Sequence, residues 1–374
     1  MARRSMKLVE FGKPFQLTKE VVPTAPKGGA VVKTEYAGVC HSDVHLMDGH
    51  YSIPLNTVLG HEIAGTVHDI EPGQDLKVGD RVAVHFRCGC GYCSRCEVGE
   101  RIACLRGVTR DLGSTDDGGF SDYVIIPDVR LLVKVPDTVA MDTACLLPCS
   151  GITAYNAVCK MLPTVQDFAK HNGEAKYHLT HIIYRPLSAT FTSQDDAKSR
   201  GKHHDITRGL FDISRGCDAY PESCTEEKLT TAREAGCDGA LLWGKDVDDD
   251  TAVTEAKKIC GSLGGFAAAI DFVNVAATFE RIEKILAEGG MHVLVGLMGV
   301  DVPASVPLMP YVMSCHQMTS LRVGSLPQLK DLMALVAQGK IKPPPISHHP
   351  LENVYDVLQD LKAGKVKGRA VVKL

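Results

Sequence analysis

No apolar run in the 374 residues approaches the roughly 18 to 20 residues that a membrane-crossing helix needs, so a bilayer-spanning segment is not expected. The first ten residues carry the pair Arg3-Arg4 without the apolar stretch of an export signal behind it, which points to an unsecreted, cytoplasmic protein. A surplus of positive charge is missing too. Lys and Arg number 41 against 45 Asp and Glu, a formal net charge of -4, so no whole-chain field is present to hold nucleic acid. Neither an internal repeat nor a low-complexity tract is found, and 44% apolar with 23% charged residues excludes wholesale disorder and fibrous folds.

Cysteine, by contrast, is plentiful, with 14 residues. Without an export signal these thiols are expected to be reduced, metal-bound or buried rather than paired in disulfides. The length favours about two domains. Between Ala30 and Val135, short β-rich stretches (30–36, 62–70, 81–86, 121–126 and 131–135) alternate with Gly, Pro and Asp turns. After Glu226 the pattern becomes helix followed by apolar strand: 226–235 then 239–243, 252–260 then 267–273, 279–287 then 291–297. Such alternation implies a parallel sheet covered by helices. A helix over 351–362 and a strand over 369–373 close the chain.

Cys90, Cys93, Cys96 and Cys104 follow the spacing Cys-x2-Cys-x2-Cys-x7-Cys. Four thiolates on one compact loop can converge on a zinc ion at about 2.3 Å, a closed structural site. Cys88 falls outside that spacing and reads as a bystander. A second set is dispersed: Cys40, the pair His61-Glu62, and Cys149. Cysteine, histidine and cysteine would give zinc three ligands and leave a fourth position open, as a catalytic ion requires. Spacing alone does not single these residues out, because an isolated cysteine is as readily a small core residue.

Their surroundings do. Gly38-Val39-Cys40-His41-Ser42-Asp43, then Gly60-His61-Glu62, then the four-cysteine loop, then Cys149 with Gly151-Ile152-Thr153 resemble, in this order, the zinc-dependent alcohol dehydrogenases of the medium-chain dehydrogenase/reductase superfamily. The resemblance runs from Lys7 to about Ala175 and resumes from Glu226 to Leu374. It implies an α/β protein: a GroES-like β-rich catalytic domain over residues 1–156 and 313–374, plus a Rossmann-type doubly wound cofactor domain over 157–312. It implies two zinc ions per chain, one held by Cys40, His61 and Cys149 with Glu62 beside it, the other by the four-cysteine loop. It implies NAD or NADP as hydride acceptor, a small alcohol, aldehyde or ketone as substrate, and a homodimer or homotetramer. Ser42 would take the proton of the alcohol, and His45 would pass it to solvent. Thr153, Gly296 and Leu297 would lie along the nicotinamide, and His41 and Arg369 on the pyrophosphate.

One segment departs from the family. A dinucleotide site needs Gly-x-Gly-x-x-Gly after its first strand, because only glycine lets the backbone approach the pyrophosphate at the helix N-terminus. That motif is absent, and 177–223 stands in its place, so the first βα unit is atypical or disrupted. Within it 179–184 reads as a strand, the polar stretch 193–205 as loop, and Glu222-Ser223 offers no ribose-binding acid. Val295-Gly296-Leu297-Met298-Gly299 has the wrong glycine spacing to substitute. Two accounts fit: an altered reading frame or retained non-coding sequence, or divergence to a zinc-binding pseudoenzyme with weak nucleotide affinity. Sequencing the transcript across this window decides between them, since an unmodified message encoding these same residues excludes the first.

Overall fold

The computed structural model describes residues 2–71, 75–108, 110–171, 248–260, 264–296 and 303–374. Its strands, in chain order, are β1 (Ala2–Leu8), β2 (Gln16–Val21), β3 (Ala30–Gly38), β4 (Thr57–Val58), β5 (Glu62–Ile70), β6 (Arg81–Val84), β7 (Tyr123–Ile126), β8 (Leu132–Lys134), β9 (Phe266–Asp271), β10 (Leu286–Leu294), β11 (Gln317–Ser320), β12 (Ile346–Pro350) and β13 (Arg369–Lys373). The chain divides into two compact units, Met1–Ile152 with Val323–Gln338 and Pro344–Leu374, and Thr153–Arg322 with Gly339–Pro343.

In the first unit β3 is the hub. One edge of it pairs antiparallel with β5 along its length, while the other edge pairs with β7 through Ala30–Lys33 and with β13 through Tyr36–Gly38. Changing partner halfway along one strand lets a single sheet, ordered β12-β13-β3-β5-β6-β8 with β7 on β3, curl toward a barrel. Apolar residues of its inner strands are buried, while the edge strand β12 is half-exposed to exposed along its length. Val31, Val32, Ala37, Ile63, Ala64, Val82, Val84, Val371 and Val372 have almost no exposure. The helix His41–Met47 lies against the C-terminal helix Val354–Lys362 through Val44, Leu46, Met47, Val354, Val357, Leu358 and Leu361. That apolar seam fixes the position of the short helix and hence of the residues at its two ends.

The second unit contains, among the described residues, the parallel sheet β11-β10-β9. The helix Ala276–Ile285 lies between β9 and β10 and buries Phe279, Ile282 and Ile285, the right spacing for one apolar face. β10 begins at Leu286, earlier than the sequence pattern suggests, with a register break before Met291 where Gly289-Gly290 interrupts the ladder. The C-terminal helix begins as a single 3-10 turn, Leu351–Asn353, after Pro350. The expected helix 226–235, the strand 239–243 and the whole anomalous segment 177–223 lie outside the described residues.

His85, just past β6, ties the sheet to the later part of its unit by donating from Nε2 to the Gly324 carbonyl at 3.0 Å. It has no solvent exposure. Burial, foremost, pushes its pKa down to about 4, although the Gly324 carbonyl works in the other direction. The unfolded chain takes up a proton near pH 6.5 that the folded chain refuses. This contribution to stability is therefore present above about pH 6.5 and is lost as pH falls toward 4. For a His85→Gln variant, which keeps a donor but does not titrate, the urea midpoint should decline less between pH 7 and pH 5 than for the parent, by on the order of 2 kcal/mol of unfolding free energy. The carboxylates titrate alike in both proteins. Parallel declines would contradict this account.

Candidate metal centres and active site

The first cluster is assembled at the start of the helix His41–Met47. Cys40 is its N-cap, in extended conformation (φ -115, ψ 153). The carboxylate of Asp43, three residues on, reaches back to the Cys40 N–H at 3.0 Å, which is the reciprocal half of a capping box. Its other oxygen accepts from the N–H of Gly60 at 3.2 Å and from Nδ1 of His61 at 3.2 Å. With Nδ1–H directed to Asp43, Nε2 of His61 carries the lone pair for a metal, the carboxylate–histidine arrangement that orients metal-binding imidazoles. Asp43 is fully buried. It lies inside the Cys40–Asp43 motif yet was not singled out by the sequence. The signal that could have found it is an acid at the third helical position after a cysteine cap.

Cys149 arrives from a different part of the chain, on the π-helical turn Leu147–Gly151. Such widened turns re-aim a side chain within an otherwise helical run. The ligand atoms of Cys40, His61, Glu62 and Cys149 all lie within 4.8 Å of one another. Hydrogen bonding with Cys149, foremost, holds the Cys40 thiol well below its ordinary pKa, against the opposing effect of burial. Cys149 is raised well above its own, by the same bond and by burial. Burial disfavours charge on the His61 ring, but Asp43 and Cys40 outweigh it and raise its pKa well above the ordinary value. Two thiols and one imidazole in a pocket of this kind, already sharing protons to stabilise a thiolate, fit a zinc ion.

Glu62 opens β5 directly opposite Gly38 in the β3 ladder. A side chain at Gly38 would put its Cβ 2.0 Å from the Glu62 carboxylate, so glycine there is what admits the acid. Arg369, the first residue of β13, sets its guanidinium on Oε2 of Glu62, and both side chains are buried. This is a partner that the sequence did not assign to Arg369. Burial raises the Glu62 pKa to about 7, with Arg369 pulling the other way. Oε1 of Glu62 is buried without a hydrogen bond, a donor atom open to a metal.

Ser42 follows two residues after Cys40, and its Oγ stands 3.8 Å from the Cys40 sulfur. His41 is buried. His45, taken from sequence as the group that hands a proton to solvent, is itself only 9% exposed, and its Nδ1 lies 3.1 Å from Nδ1 of His50. Thr153 and Gly296 belong to the second unit, where Gly296 follows β10 and its backbone N–H donates to the Asp271 carbonyl at 3.1 Å. Leu297 lies outside the described residues. The C-terminal ends of the parallel strands β9 and β10 are the edge at which open α/β sheets bind nucleotides, and to that extent the described part of this unit fits a dinucleotide.

The second cluster is local. The sulfurs of Cys90, Cys93, Cys96 and Cys104 also lie within 4.8 Å of one another. Backbone N–H donation lowers the Cys93 thiol to about 6, while burial raises Cys96 to about 11. Four thiols converging on a loop fit a closed, structural zinc. Cys88, outside the group, is pushed up to about 12 by burial and stays a neutral thiol. His348 donates to Asp142 and His349 pairs with Ser347, so neither joins a metal group among the described residues.

A β-rich unit bearing one open cysteine–histidine cluster and one four-cysteine loop, with a parallel α/β sheet alongside in sequence, defines the class of zinc-binding dehydrogenases. Residues 26–137 match the family described as "Alcohol dehydrogenase GroES-like domain", and residues 215–338 the family described as "Zinc-binding dehydrogenase". Over 99% of both chains the sequence is 32% identical to an NAD-dependent alcohol dehydrogenase of Saccharolobus solfataricus, and 30% identical to one of Sulfurisphaera tokodaii. The alcohol dehydrogenase of Aeropyrum pernix superposes with a TM-score of 0.75 at 25% identity, covering 99% of this chain and all of that one. The chain belongs to the zinc-binding alcohol dehydrogenase family, with a GroES-like and a Rossmann-like domain.

Elemental analysis of the purified protein should find two zinc ions per chain. Cys149→Ser should lose one of them with little change in thermal stability. Cys96→Ser should lose the other and unfold at lower temperature, because a closed site contributes folding energy directly. A single zinc in the parent protein would remove the open-site assignment.

Proposed function

We propose that the protein oxidises an alcohol to an aldehyde or ketone, with zinc at Cys40, His61 and Cys149 and with NAD as hydride acceptor. The observation that carries this reading is the convergence of those three residues, with Glu62, within 4.8 Å. The choice of NAD rests on the relatives from Saccharolobus and Sulfurisphaera, which are named for it. When bound, the zinc supplies a Lewis acid that makes an alcohol hydroxyl easier to deprotonate, and NAD takes up the hydride.

The chain's own residues do the remaining work. Asp43 holds His61 in the tautomer and orientation that present Nε2. Ser42, beside the Cys40 sulfur, accepts the hydroxyl proton and passes it along the helix to His45. Arg369 holds one oxygen of Glu62 and leaves the other as an exchangeable fourth donor. The four-cysteine loop holds a structural zinc and takes no part in the chemistry. His41, Thr153, Gly296, Leu297 and Arg369 remain our proposed cofactor contacts. The division into a catalytic domain over 1–156 and 313–374 and a cofactor domain over 157–312 is retained on the same reading.

A homodimer or homotetramer is proposed as well. Leu308, Met309, Val312 and Met313 on one short helix of the second unit are all more than 70% exposed, an apolar surface of the kind that subunits cover. Among the described residues no helix is long and apolar enough to cross a membrane. A cytoplasmic location is part of the same proposal.

NAD reduction with a panel of primary and secondary alcohols tests the reaction. Turnover should depend on zinc and be abolished by a chelator. Ser42→Ala should lower kcat on the order of 100-fold, with zinc content unchanged and activity largely restored in Ser42→Thr. A protein holding both zinc ions but inert toward the whole panel would instead support the pseudoenzyme reading.

A further inference from the structure

Residue 50 has no role in the reading above, yet the backbone places it with care. The helix His41–Met47 ends at Asp48, and Gly49 turns the chain at φ +76. The Gly49 N–H donates to the Leu46 carbonyl at 3.1 Å and the His50 N–H to the His45 carbonyl at 3.0 Å. These two bonds are the pair that defines a Schellman cap. A side chain at Gly49 would be strained at this φ and would meet the Phe11 ring at 3.0 Å. The cap brings the residue after the glycine next to the third residue from the helix end, where two apolar side chains commonly touch.

Here the two side chains are imidazoles. Their Nδ1 atoms are 3.1 Å apart, with ring centroids 5.4 Å apart and planes inclined by 40°. At that separation one nitrogen donates its hydrogen and the other accepts. Tyr51 stands edge-on to the His45 ring, with centroids 6.1 Å apart. The Asp48 carboxylate is engaged by Lys362 at 2.7 Å. His45 is buried and His50 exposed, so the pair leads from interior to water.

We propose that His50 is the solvent-side member of a two-histidine relay, receiving through His45 the proton released by the alcohol and delivering it to water. This rests on the reaction proposed above. A proton arriving at Nε2 of His45 makes that ring an imidazolium. The hydrogen on its Nδ1 then crosses to Nδ1 of His50, and the hydrogen on Nε2 of His50 leaves to water or a buffer base. One proton enters, one leaves, both rings end neutral, and no electrons move. His50 thus acts through His45, as a positioning and relay residue rather than one that touches substrate.

The test uses zinc-replete parent protein, His50→Gln and His50→Ala. In dilute, weakly basic buffer both variants should show kcat reduced on the order of ten-fold with KM unchanged, and added imidazole should restore kcat in proportion to its concentration. A purely structural role predicts that glutamine, which can keep a hydrogen bond, rescues the rate and that imidazole does nothing; that outcome overturns the relay. A readout without turnover accompanies it. In protein labelled with 15N at histidine, the shared hydrogen should couple Nδ1 of His45 to Nδ1 of His50, and this coupling should vanish in His50→Gln. Uncoupled nitrogens in the parent protein overturn the pairing. Inactive parent protein overturns the reaction and the relay together, whereas an active parent with unimpaired His50 variants overturns the relay alone.

Discussion

The carboxylate of Asp43 is the constraint on which the first cluster depends. Fully buried, it spends one oxygen on the Cys40 N–H and the other on the Gly60 N–H and His61 Nδ1. A buried carboxylate without such donors would be costly to ionise, so its three bonds are a condition of the fold as well as a support for the site. They bind the start of a helix to the strand-entry segment some twenty residues later and thereby set two proposed metal ligands, Cys40 and His61, at fixed separation. Phe86 closes over the His61 ring with centroids 4.9 Å apart, which further limits its rotation.

The second buried charge system, Glu62 with Arg369, follows from sheet topology. Gly38 in β3 faces Glu62 of β5 on one edge and Val371 of β13 on the other, so the first residues of β5 and β13 meet across a strand that has no side chain at that point. Burying an ion pair gains little net stability, because desolvation offsets the attraction, whereas leaving either charge alone would be severe. Its retention beside the cluster makes physical sense as a way to keep a carboxylate oxygen near the metal ligands. Burial alone would favour the protonated acid, and Arg369 opposes that tendency. The result is a group whose pKa of about 7 lies between its ordinary value and that of an isolated buried acid.

How much of this was legible in the sequence depended on whether the determinants were local. The four-cysteine loop was fully legible, because all four ligands fall between Cys90 and Cys104 and their spacing encodes the geometry. Five of the six strands from Ala30 to Lys134 were also found to within two residues at each end, since turn residues bracket them, while the two-residue β4 was not marked. Cys149 was legible only by resemblance: a π-helical turn has no sequence signature of its own. The partner of Arg369 was missed because a contact between residues 62 and 369 is made by strand order, which no local pattern records. β1, β2 and the helix Leu326–Ala337 were not marked either, although the Ser325 cap with Gln328 three residues on is a clear helix start.

The same distinction explains the helix His41–Met47, whose two ends do different work from one seven-residue segment. At about 1.5 Å per residue it spans only about 10 Å, so the proposed metal ligand at its N-cap and the imidazole pair at its C-terminal cap are separated by little more than two turns. Each end carries its own local cap, Asp43 back to Cys40 at the start and Gly49 and His50 back to Leu46 and His45 at the finish, in addition to the bonds from Asp43 to Gly60 and His61. The apolar seam against Val354–Lys362 anchors the middle. A short helix capped at both ends and held along one face keeps Ser42, near the Cys40 sulfur, and His45, beside His50, at fixed spacing for the proposed proton path. Fixed spacing is what a proton path needs, because each transfer along it is efficient only when donor and acceptor already stand within hydrogen-bond distance.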